Sequence, residues 1–119
     1  MTQEDKKLLL RDLCARLPYG VKVKTNNINI LKLGTHTRVG EYVTDVVEPC
    51  KPYLFPLSSM TEEQKIIYGD YCYEIMHSIA WDGQFRSNEL YNWLLKNHFD
   101  IYNLIPMGLA IDATNKNIY

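Results

Sequence analysis

The stretch Gly20-Val21-Lys22-Val23-Lys24-Thr25-Asn26-Asn27-Ile28-Asn29-Ile30-Leu31-Lys32-Leu33-Gly34 decides the fold class. Val21, Val23 and Thr25 alternate with Lys22 and Lys24. A period of two marks a strand with one face on a core and the other in water. Asn26-Asn27 tolerates positive φ, so a tight hairpin turn is expected there. Ile28 to Leu33 is then the return strand. Its alternation breaks at Ile30-Leu31, which predicts a bulge or burial on both faces. Gly34 to Thr37 reads as a turn and Val39 to Val47 as a third strand, bent at Gly40. The expected result is three antiparallel strands from about Gly20 to Val47, forming a curled sheet or small open barrel.

Toward the N-terminus a helix is expected from Thr2 to Leu17. Thr2 and Asp5 have capping-box spacing, with Asp in place of Glu. Leu9, Leu13 and Leu17 recur every four residues, and Leu10 and Cys14 widen the stripe. Lys6, Lys7, Arg11 and Arg16 fall mostly on other faces, and Pro18 stops the helix.

Toward the C-terminus, Glu48 to Ser59 carries Pro49, Pro52 and Pro56 and reads as an ordered connector, since proline cannot donate to a ladder. Tyr53, Leu54, Phe55 and Leu57 would pin it to the core. Thr61 and Gln64 form a second capping box, opening a helix to about Ile79 with Ile67, Tyr71, Ile75 and Ile79 at four-residue spacing. Ala80 to Arg86 reads as a loop. Ser87 caps a third helix to about Asn97, with Leu90, Trp93, Leu94 and Leu95 on its stripe. The tail is apolar to Ile111, expected to pack as an extended or single-turn segment, and polar afterwards, where fraying is expected. The fold class is α+β in one domain spanning 1–119, without repeat or linker.

The chain has 119 residues, with 13 Lys and Arg against 14 Asp and Glu, a net charge of −1. This balance argues against a strongly basic nucleic-acid binder and against an acidic DNA mimic. With 46% hydrophobic and 23% charged residues, the chain has the composition of a globular domain rather than a disordered one. No apolar run is long enough to cross a bilayer, and the start of the chain lacks the features of a signal peptide. Three widely spaced cysteines, Cys14, Cys50 and Cys72, suit reduced thiols, with Cys14 and Cys72 as small apolar fillers on helices.

Chemistry-bearing residues are sparse. His77, Trp81 and Asp82 follow the second helix, and His98 and Asp100 follow the third. Convergence of those ends would make a metal or acid-base site. The spacing fits no metal motif, and a histidine in a last helical turn suits the negative end of the helix dipole. No catalytic residues, cofactor or metal are expected. Ser58 and Ser59 read as turn or capping residues.

The nine tyrosines are the unusual count. Exposed tyrosines favour protein interfaces and also stack on bases, whereas half-buried ones sit at a core rim. On the second helix, Tyr71 should be buried with Ile67 and Ile75, Tyr68 should flank it, and Tyr73, about 200° round, should be exposed. Tyr68, Tyr73 and Trp81 are therefore the candidate partner-binding residues. Lys22, Lys24 and Lys32, with Arg38 nearby, form a basic sheet face that serves a nucleic-acid alternative.

Three segments carry a resemblance: Asp12-Leu13-Cys14-Ala15-Arg16-Leu17-Pro18-Tyr19-Gly20-Val21; Lys51-Pro52-Tyr53-Leu54-Phe55-Pro56-Leu57-Ser58-Ser59-Met60-Thr61-Glu62-Glu63; and Asn97-His98-Phe99-Asp100 with Leu104-Ile105-Pro106-Met107-Gly108-Leu109-Ala110. Together they resemble a family of small uncharacterised proteins of anaerobic gut bacteria and their phages. That family usually has an arginine where Phe55 stands and a longer β region. The resemblance implies no activity and no site residues. It implies a phage or mobile-element setting in the bacterial cytoplasm, and action by binding a host protein, with defence components as one class. A homo-oligomer is compatible with this reading, and a membrane is not expected.

Overall fold

A computed structural model describes residues 2–25, 28–34, 50–78 and 80–119, with residues 80–82 described by their backbone alone. The elements are α1 (Gln3–Arg16), β1 (Lys22–Lys24), β2 (Leu31–Lys32), β3 (Lys51–Leu54), α2 (Glu62–Met76), α3 (Ala80–Lys96) and β4 (Ile111–Asp112). The described strands form one open mixed sheet in the order β2-β1-β3-β4. β1 pairs antiparallel with β2 and β3, and β4 runs parallel to β3. The expected curled sheet or small barrel is thus corrected to an open sheet. Its parallel pair requires a crossover, which α2 and α3 supply.

Both capping boxes form as expected. Thr2 Oγ1 accepts from the Asp5 N–H, and Thr61 Oγ1 accepts from the Gln64 N–H, each with the reciprocal bond. Pro18 ends α1, and the chain continues as a 3-10 turn over Leu17–Tyr19, closed by Gly20 at φ 69°.

Several expectations are overturned. The Glu48–Ser59 connector contains β3, an inner strand. Lys24 pairs with Lys51 and Val23 with Pro52. The Leu54 carbonyl accepts from Ala113 on the β4 side. Strand periodicity turns the Pro52 nitrogen to that same side, ahead of the first β4 residue, so the ladder loses no donor there. The return strand shrinks to Leu31–Lys32, with Ile28 and Ile30 exposed. The loop expected over Ala80–Arg86 is the first part of α3, so Ser87 lies within a helix. The tail does not fray, because Ile118 is buried and Tyr119 is hydrogen-bonded to two strands. Cys14 is exposed, not a core filler, while Cys50 is buried. The expected third strand, Val39 to Val47, and the Asn26-Asn27 turn lie outside the described residues.

The main core lies between α1 and one sheet face, with Leu9 and Leu13 on Val21, Val23, Leu33 and Leu54, and with Leu104 and Leu109 closing it. Tyr53, Ala113 and Ile118 cluster separately, with Phe55 and Ile111. A third cluster of Met60, Leu94 and Phe99 roots the α2–α3 hairpin, with Tyr68, Leu90 and Trp93 half-buried against it.

Arg16, expected off the apolar stripe of α1, is fully buried beside Asp12. Its Nε donates to Asp12 Oδ2 at 2.8 Å, and its Nη2 donates to Asp12 Oδ1 at 3.0 Å and to the Phe99 carbonyl at 2.6 Å. Burial pushes the Asp12 carboxyl up, opposed by the Arg16 guanidinium. Arg16→Met strands an ionisable carboxyl in the core and should cost about 3–5 kcal/mol. Adding Asp12→Leu removes that group and should recover part of the loss, while the Phe99 carbonyl stays unpaired. Urea unfolding of both variants checks this, and a double variant no more stable than Arg16→Met would contradict it.

Candidate functional site

The α2–α3 hairpin is held at its root and free along its outer side. On α2, Gln64, Tyr68, Tyr71, Cys72 and Ile75 are half-buried, and no residue is fully buried. At 100° per residue these five share the face turned to α3. The Tyr71 and Trp93 ring centroids are 6.2 Å apart, and those of Trp93 and Phe99 are 5.8 Å apart. Away from the root, Arg86 bridges Glu74 at 3.5 Å and Glu89 at 3.0 Å. The expectation that Ile67 and Tyr71 are core is corrected. Ile67 is exposed and Tyr71 only half-buried, because among the described elements α2 packs mainly against α3, which covers a narrow arc.

On the opposite face, Ile66, Gly69, Tyr73 and Met76 fall within about 80° of arc. Ile66, Tyr73 and Met76 are 64%, 65% and 80% exposed. A Cβ added at Gly69 would meet nothing within 4 Å, so this strip is open. Their 3-4-3 spacing is that of a helix seam. Phe85 of α3 is also exposed. Tyr73 is thus where the sequence reading put it. Tyr68 is instead on the α3 side, about 140° from Tyr73, so the two do not share a face. The Trp81 side chain lies outside the described residues. Ile66 and Met76 were missed, although the spacing 66, 69, 73, 76 was legible.

The other tyrosines of the described chain are mostly tied to the fold. Tyr53 donates to the Asn29 carbonyl at 2.7 Å. Tyr91 and Tyr102 share a hydrogen bond of 3.1 Å, and burial pushes the Tyr91 hydroxyl up to about 12.

The sheet brings the lysines together more tightly than the sequence indicated. Lys22 lies directly opposite Lys32, and Lys24 directly opposite Lys51. Directly opposed residues share a face, so all four point to the side away from Val23. Lys51 was missed because its segment was not read as a strand. Arg38 lies outside the described residues.

The histidines do not converge. His77 is exposed beside Tyr73, with ring centroids 4.2 Å apart. α3, with 17 residues, separates it from His98 by about 25 Å. Asp100 is buried and accepts the N–H groups of Leu104 at 2.8 Å and Ile105 at 3.0 Å. The Asp82 side chain lies outside the described residues. Among the described residues no group of three or more His, Cys, Asp or Glu is placed to hold a metal ion.

His98 lines a cleft of about 340 Å³ with Phe55, Ser59, Gln64, Asn97 and Tyr119. It sits at φ 62°, and its ring stacks on Tyr119 at 3.6 Å and 9°. The Tyr119 hydroxyl accepts from the Lys22 N–H and donates to the Tyr53 carbonyl, both at 2.8 Å, and burial pushes it up to about 12. Burial, then the charges of Arg16 and Lys22, lower His98 to about 4. Its Nδ1 is buried without a hydrogen-bond partner. Such an imidazole is neutral at pH 7 and a weak base, which suits a structural wedge better than proton transfer.

A histidine whose pKa falls on folding is protonated first in the unfolded chain. Stability from this group is therefore full above about pH 6.5 and falls as pH drops toward 4. The loss should be about 1–3 kcal/mol. His98→Asn, which tolerates the left-handed backbone, should flatten that part of the profile. Coincident pH–stability curves for the two proteins would place His98 in water.

Compared with known proteins, the chain matches no family model, no curated protein and no solved structure.

Proposed function

We propose that this chain is a non-enzymatic interaction protein that binds another protein through the outer face of α2. The observation that carries this reading is the exposed seam of Ile66, Tyr73 and Met76 on a helix with no buried residue. Leaving three large apolar side chains in water along one seam brings no folding benefit, and contiguous exposed apolar surface marks an interaction site. Aromatic residues and methionine are the types enriched at such contacts. The seam has an acidic edge at Glu63 and Asp70, so a partner with basic residues beside an apolar strip fits it. The phage or mobile-element setting comes from the family resemblance alone. It makes a host protein the partner, with defence components the class to test first.

Tyr73→Ala with Met76→Ala should leave unfolding free energy within about 0.5 kcal/mol per substitution, as surface changes do. The same pair should weaken binding to a purified host protein by more than about 1 kcal/mol, roughly fivefold, in calorimetry. Unchanged affinity would remove this face from the interface. Concentration-dependent sedimentation abolished by the same pair would identify the occupant as a second copy.

A further inference from the structure

We propose that the lysine face of the sheet binds the phosphodiester backbone of single-stranded nucleic acid, independently of the α2 seam. Lys22 and Lys32 face each other across β1 and β2, and Lys24 and Lys51 across β1 and β3. Like charges directly opposite in a sheet are destabilising, and this sheet holds two such pairs side by side. Lysines on an edge strand serve to block strand-to-strand aggregation. That accounts for Lys32 on β2. It does not account for Lys22, Lys24 or Lys51, which lie on the two inner strands.

Among the described residues, no carboxylate is paired with any of the four lysines. The one acid in the described strands, Asp112, accepts the Thr114 N–H. Six of the other 13 acids lie on the hairpin, at Glu62, Glu63, Asp70, Glu74, Asp82 and Glu89, and Glu41, Asp45 and Glu48 lie outside the described residues. Lys24 and Lys32 are exposed, and Lys22 and Lys51 are half-buried. The Lys22 ammonium donates to the Ile118 carbonyl at 2.6 Å and so keeps its place at one end of the cluster.

The dimensions favour one strand of phosphates. Three paired strands span about 10 Å, and Lys22 to Lys24 covers about 7 Å. That area seats three or four phosphates along a single backbone. The cluster adjoins the stacked His98–Tyr119 pair, since the Lys22 ammonium lies 5.6 Å from the centroid of the Tyr119 ring. A basic surface that tracks one backbone is the electrostatic part of single-strand binding.

The test is fluorescence anisotropy with a labelled oligothymidylate. Three or four phosphate contacts predict a slope of log affinity against log salt of about −2 to −3. Affinity should therefore fall about 20- to 50-fold between about 50 and 200 mM NaCl. The triple variant Lys24→Gln, Lys32→Gln, Lys51→Gln should bind at least about tenfold more weakly, with a slope near −1. Its melting temperature should be unchanged or higher, since two repulsive pairs are relieved, and this separates lost binding from lost folding. Tyr73→Ala with Met76→Ala should bind the oligonucleotide as the parent does, whether or not α2 has a protein partner. No saturable binding at the lower salt, or equal binding by the triple variant, would overturn the proposal. Tighter binding of duplex DNA would overturn the single-strand assignment, and so would equal competition by inorganic polyphosphate.

Discussion

A guanidinium without access to water holds the two halves of this molecule in register. Arg16 is tied to Asp12 one turn earlier in α1 and to the Phe99 carbonyl just beyond α3. That second contact joins the first helix to the segment that returns from the crossover. Phe99 in turn bridges with Phe55 next to β3 and packs on Trp93 at the hairpin root. The arrangement accounts for more than rigidity. The Arg16 charge helps keep the adjacent His98 neutral, and neutral His98 stacks on Tyr119. Tyr119 closes the seam between β1 and β3 with its hydroxyl. A buried ion pair is weak evidence for added stability, but removing one partner is expensive, so these contacts are constrained together.

The hairpin follows a different economy. Its root is set in a cluster of Met60, Leu94 and Phe99, while the outer face of α2 has nothing over it among the described residues. Helices are stabilised in proteins mainly by burial of an apolar face. α2 buries only a half-covered stripe against α3, and relies on a capping box at its start and on the Glu74–Arg86 ion pair farther along. α2 thus carries apolar residues on both sides, and among the described residues the fold covers one side.

The sheet is divided in a comparable way. One face is the main core. The other carries aromatic and aliphatic residues around Tyr53 and Ile118 at one end and the opposed lysines at the other. The same pairing that places Val23 in the core aligns lysine opposite lysine, because side chains alternate strictly along each strand.

Local signals settled the local structure. Thr2 with Asp5 and Thr61 with Gln64 specified two helix starts, since a capping box is complete within four residues. The alternation of Val21 and Val23 with Lys22 and Lys24 specified β1 and its basic face. The period-four stripe of Leu9 and Leu13 specified the buried side of α1, and the angle from Tyr71 to Tyr73 specified which tyrosine is exposed. Non-local pairing decided the rest. Lys51–Leu54 is a strand because β1 and β4 flank it and Pro52 turns its nitrogen where no partner is required. Arg16 is buried because Phe99, 83 residues away, offers a carbonyl to it. Tyr119 is held because the sheet brings together the Lys22 N–H, which donates to its hydroxyl, and the Tyr53 carbonyl, which accepts from it. Hydrogen bonds and burial between distant segments leave no periodic mark on either segment, so only the tertiary structure could decide them.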